Sequence, residues 1–187
     1  MSGARDSRFP APVAVVGLGN VLLGDDGFGP TVIALLRAGW EFPAAVELID
    51  GGTPGLHLVA LVHGRDAIVL IDTVAGPGAP GELRRYRRED LERLPILARV
   101  SPHDPAVLEA LAIADLAGGG AQTVLLVGLI PASLAMETTL SPPVRAACAA
   151  AAVLVVEELT RLGVSPRLRR EATAPDAWWM RHSTENP

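Results

Sequence analysis

The chain has 187 residues, of which 49% are hydrophobic and 20% charged, which supports one domain with a real core and leaves little length for a second. A formal net charge of -5 and a pI near 5.3 argue against nucleic acid as a partner: the largest positive cluster, Arg84, Arg85, Arg87 and Arg88, is followed at once by Glu89 and Asp90. A lone cysteine, Cys148, rules out an internal disulfide or a cysteine-built metal site and fits a reducing, cytoplasmic setting.

The opening MSGARDSRFPAP has no apolar core of signal-peptide length and reads as a tail, so the mature protein is expected to begin near Met1. Residues 13–17 (VAVVG) then form a short apolar strand ended by glycine. The loop GNVLLGDDGFGP follows, and a helical pattern runs from Thr31 to Arg37 with Val32, Leu35 and Leu36 on one side. A second strand, VELID at 46–50, breaks at GGTPG before the helical stretch LHLVALVHG. The third strand, AIVLID at 67–72, is apolar throughout and is therefore placed at the sheet centre. Strand alternating with helix predicts parallel βαβ units.

Residues 73–81 are too rich in glycine and proline for regular structure, and ELRRYRR after them alternates like an exposed edge strand. SPHDP at 101–105 is a loop, Ala106 to Leu116 a helix with Leu108, Leu111 and Ile113 for packing, and QTVLLVGLIP at 122–131 a buried strand. Ser141 offers an N-cap, with Pro142 and Pro143 in the first turn of a long helix stopped by Gly163. The expected fold is α/β, a three-layer sandwich with a mostly parallel twisted sheet of about five strands and helices on both faces. One domain spans 12–164; 1–11 and 165–187 are tails, the latter with Trp178 and Trp179 for packing. No stretch is long and apolar enough for a membrane helix.

Ligands of open α/β sheets bind at the carboxyl ends of the strands, where loops and helix N-termini converge. At those ends stand Asn20, Asp25 and Asp26, then Asp50, then Asp72, with His103 and Asp104 on the SPHDP loop. Asp25 reads as a cap for the following helix. Asp50 before two glycines is equally a turn residue or a functional one. Asp72 closes an apolar strand, where a lone buried carboxylate is costly, so function is the better account. His103 taken alone is a surface loop residue; two carboxylates with one imidazole, however, form an O,O,N set suited to a borderline divalent metal. His57 and His63 are six apart, share no helical face, and read as exposed.

Competing chemistries fail on the residues. Gly17 and Gly19 are followed by Leu22 where a dinucleotide fingerprint needs its third glycine, and Asp25 and Asp26 would repel a pyrophosphate. There is no Walker lysine motif and no GxSxG, and Cys148 lies in a helix with no histidine near it in sequence.

Taken in order, VVGLGNVLLGDDGFGP, Asp50 to Thr53 as DGGT, VLIDTV with Asp72, Ser101 to His103 as SPH, and Gly128 to Pro131 resemble the hydrogenase maturation endopeptidase family over roughly residues 13 to 160. The resemblance implies an endopeptidase that removes a C-terminal peptide from the nickel-loaded precursor of a hydrogenase large subunit. On it, Asp26, Asp72 and His103 contact nickel carried by the substrate. The family often has Glu where this chain has the shorter Asp26. Asp50, with Asp26 and Asp72, is the catalytic candidate, and Asn20, Gly51 and Gly52 are candidates for binding the substrate chain. The protein is expected to act as a monomer in the cytoplasm, with the precursor as partner and no nucleic acid or membrane. Two other readings stay open: a hydrolase holding its own metal on the same three residues, and a non-catalytic nickel or precursor chaperone.

Overall fold

The structure, a computed structural model, describes residues 12–93 and 104–179. β1 (Val13–Leu18) leads through a loop and a 3-10 turn (Gly24–Gly27) directly into α1 (Phe28–Gly39). A two-residue β2 (Trp40–Glu41), β3 (Val46–Gly52), a 3-10 turn (Gly55–His57), the short α2 (Leu58–Val62) and β4 (Ala67–Thr73) follow. After a loop come β5 (Leu83–Arg87), α3 (Arg88–Arg93), α4 (Asp104–Leu116), β6 (Thr123–Leu129), α5 (Pro142–Arg161) and a two-residue β7 (Arg167–Leu168).

Five strands make one sheet in the order β3-β1-β4-β6-β5, with β4 at its centre; the first four are parallel and β5 runs antiparallel along one edge. Because side chains alternate across a strand, each strand feeds two cores. Val13, Val15, Val69, Ile71 and Val127 pack with α1 and α5. Ala14, Val16, Ile68, Leu70 and Leu126 pack on the other face with α2 and α4. Each fully buried Leu or Ile in these layers contributes roughly 1.5–3 kcal/mol relative to its exposed state. The three-layer α/β sandwich expected from the sequence is the fold observed.

Some local expectations shift. α1 begins at Phe28, not Thr31, because Pro30 sits in its first turn, where a missing N–H costs nothing. α4 turns a different face to the sheet: Val107, Ala110, Leu111 and Ala114 are buried, while Leu108 and Ile113 are exposed. The buried set follows the i, i+3, i+4, i+7 stripe that a helix presents to one side. α1 lies so close to β1 that a Cβ on Gly17 would stand 2.5 Å from the Gly29 carbonyl oxygen, so the contact requires glycine.

From 165 to 179 the chain stays in contact with the domain. β7 pairs antiparallel with β2, Arg169 N–H donates to the Gly39 carbonyl at 2.9 Å, and Thr173 N–H to the Ala38 carbonyl at 3.2 Å. The segment then passes back along α1 until Ala177 and Trp179 are buried. No helix among the described residues is long and apolar enough to cross a membrane.

Candidate active site at the carboxyl ends of β1 and β4

After β1 the chain builds β3 on one side, then crosses to build β4 on the other. The carboxyl ends of β1 and β4 therefore flank the point where strand order reverses, which is where α/β sheets open a crevice. The 19–27 loop and the Asp72-Thr73 pair meet there.

Asp26 is 3% exposed and Asp72 not at all. Asn20 N–H donates to Asp26 Oδ2 at 2.7 Å, and the Thr73 hydroxyl donates to Asp26 Oδ1 at 3.2 Å. Thr73 N–H in turn donates to Asp72 Oδ1 at 2.8 Å. One residue thus bridges the two carboxylates, and sequence reasoning missed it; a threonine directly after a strand-ending aspartate was the available signal. Asn20 Oδ1 accepts Leu22 N–H at 3.0 Å, so the side chain ties the loop to itself. Gly19, at φ 129°, brings the chain back so tightly that a Cβ there would collide with the Asp26 carbonyl oxygen.

Asp25 is structural, but it does not cap α1, whose N-cap has no side-chain hydrogen bond. Fully buried, it faces the other way. Its Oδ2 accepts the N–H groups of Ala132 and Ser133 at 2.7 and 3.0 Å and the Ser141 hydroxyl at 2.9 Å, and its Oδ1 accepts Ser141 N–H at 2.7 Å. Ser141 does sit at the N-cap of α5, yet its hydroxyl serves Asp25 and not the helix. Backbone bonds reinforce the seam, with Gly24 N–H to the Glu137 carbonyl at 2.7 Å and Asp25 N–H to the Ser133 carbonyl at 3.0 Å. These donors satisfy both oxygens of the buried carboxylate. Burial, and then the Asp25 charge, pushes the nearby Cys148 thiol up to about 12, which removes it as a nucleophile.

Asp50 ends up exposed, one strand away from Asp26 on the same rim, with its Oδ1 accepting Gly52 N–H at 3.3 Å. It lines a groove of about 250 Å³ together with Gly19, Asn20, Gly52, Thr53 and the two tryptophans. Gly51 is accounted for by packing, since a Cβ there would lie 2.9 Å from Val16 Cγ1, whereas Gly52 has open space around it and is accounted for by its φ of 54°. His57 and His63 are exposed. His103 and His182 lie outside the described residues, and among the described residues no group of three or more His, Cys, Asp or Glu side chains is placed to hold a metal ion.

Two enclosed carboxylates beside a groove with an exposed one form a site for metal contact or for proton transfer to and from water. Fold and site together define an α/β protein with a carboxylate-lined crevice and no thiol nucleophile. The profile of the hydrogenase maturation protease family matches residues 30–158. The hydrogenase 2 maturation protease of Escherichia coli is 32% identical over 161 residues, covering 86% of this chain and 97% of its own. A hydrogenase expression/formation protein of Azotobacter chroococcum is 35% identical over 153 residues, covering 81% and 73%. Among solved structures, a hydrogenase maturating endopeptidase from Escherichia coli superposes with a TM-score of 0.77 at 31% identity over 84% of this chain and 97% of that one. The hydrogenase 2 maturation peptidase of a Thaumarchaeota archaeon gives 0.60 at 36% identity, over 79% and 97%. The chain belongs to the hydrogenase maturation protease family, and its activity class is that of a peptidase.

Proposed function

We propose that this chain removes a C-terminal peptide from the nickel-loaded precursor of a hydrogenase large subunit, acting as a cytoplasmic monomer. The observation that carries the reading is the convergence of Asp26 and Asp72 on Thr73 at the point where strand order reverses. Nickel is part of the substrate here. Asp26 and Asp72, completed by His103, are the donors that test for it, an O,O,N set that a borderline metal accepts. In the observed conformation both carboxylates are enclosed, so docking has to displace what covers them before metal reaches them.

The hydrolytic step belongs to the groove, as an aspartic-type reaction. Asp50, exposed and pointing at no cation in the described contacts, takes a proton from water as the water oxygen attacks the scissile carbonyl carbon. The C–N bond breaks and the proton passes to the departing amine. Gly52 leaves room for the substrate backbone.

Nickel-loaded and nickel-free precursor, incubated with the purified chain, test the reading: only the loaded form is cut. Equal cleavage of both removes nickel from the mechanism, and a stoichiometric metal that survives dialysis of the chain favours a resident-metal hydrolase. With Asp50→Asn the loaded precursor is bound and left intact. Wild-type protein that binds but never cuts points to a chaperone.

A further inference from the structure

The groove beside Asp50 is completed from an unexpected place, the last described turn of the chain. Trp179 is 5% exposed and Trp178 58% exposed; their rings stand 5.8 Å apart at 89°, edge to face. The buried ring anchors the segment against the domain, and the perpendicular contact sets the orientation of the exposed one. A rigid indole left half in water at the mouth of a cavity is apolar area held out for a partner. The groove's about 250 Å³ is below the size that encloses a drug-like ligand and suits one side chain with its stretch of backbone.

Resting on the processing reading above, we propose that Trp178 is a specificity-determining residue: its indole is the wall against which an apolar side chain of the precursor's C-terminal extension lies while the scissile bond is held near Asp50. The ligand is apolar because Val21, Pro30 and the two indoles line the groove, while its one carboxylate, Asp50, is engaged with Gly52 N–H and committed to the hydrolytic step. Trp178 acts on binding and leaves the chemistry to others.

Steady-state cleavage of nickel-loaded precursor by wild type, Trp178→Phe and Trp178→Ala tests this. Trp178→Ala raises KM about tenfold, the loss of one aromatic contact, with kcat nearly unchanged, and Trp178→Phe recovers most of the difference. Thermal melting of each variant separates this from unfolding. Single apolar-to-Asp replacements in the precursor's extension identify the seated residue: one of them impairs cleavage by wild type and has little further effect on Trp178→Ala. A wild-type KM in Trp178→Ala, or the same response of both enzymes to every replacement, overturns the proposal. Wild-type protein that leaves the loaded precursor uncut overturns the processing reading itself, and this inference with it.

Discussion

The Thr73 hydroxyl donates a hydrogen bond to Asp26 Oδ1 across 47 positions of sequence, and the Thr73 N–H donates one to its neighbour Asp72. The Asp26 carboxylate is almost wholly out of water, so each donor it keeps is worth about 1.5–3 kcal/mol. Thr73→Val preserves the shape and removes the hydroxyl. It lowers unfolding free energy by roughly 2 kcal/mol and slows precursor cleavage, whereas Thr73→Ser keeps both near wild type. Urea melts and a gel-based processing assay read the two effects; full stability in Thr73→Val would sink the argument.

Asp25→Asn turns an acceptor toward several N–H donors into a group that is half donor. The variant loses roughly 3 kcal/mol of stability, while Ser141→Ala, which removes one of the donors, loses about 1 kcal/mol. Chemical denaturation of the pair measures the ratio; equal losses would mean that the hydroxyl, and not the carboxylate, holds the seam.

Cys148 is buried with its thiol near 12. In native protein at pH 8 it resists iodoacetamide, and processing activity survives the treatment. Labelling appears only in denaturant. Rapid alkylation of the folded chain with loss of activity would restore a thiol mechanism.

Glu158, buried in α5, accepts bonds from Arg161 in the next turn and from Arg87 on β5 at 2.5 and 2.9 Å. Arg161 first, and Arg87 with it, hold its carboxyl at about 2, below the ordinary 4.5. A depressed folded-state pKa adds stability that is complete above the unfolded value and fades as pH falls from about 4.5 through about 2. Glu158→Gln therefore costs roughly 2 kcal/mol at pH 7 and flattens the acid limb of the stability curve. Identical pH dependence in wild type and variant would rule the pair out as its source.

The strands were legible in the sequence because buried parallel strands are short, apolar and cut by glycine, as AIVLID shows. One edge of the sheet followed from ELRRYRR, whose alternating charges suit an exposed edge strand. The acidic rim was legible as a set of strand-end residues, and Asp25 as a structural one, but not the partners that each of them holds. Asp25 and Asp26 are adjacent and chemically identical, yet one faces Ser141 and the other Thr73, and only the course of the chain around Gly19 and Gly24 decides which. The exposed side of α4 was misjudged because leucine and isoleucine outweigh alanine on any hydropathy count, while the helix here packs through Val107, Ala110 and Ala114. The tryptophans gave no period or motif to place them, since their position depends on β2 and β7 pairing.

The Asp25 seam also sets a timetable. Its acceptor oxygens bind donors more than a hundred positions later, at 132, 133 and 141. A chain emerging from the ribosome can form β1, α1 and β3 from local sequence, but its 19–27 loop has no final shape until the start of α5 has been made and docked. The crevice is thus held in shape from the far end of the domain, by donors that lie in the sequence after β6.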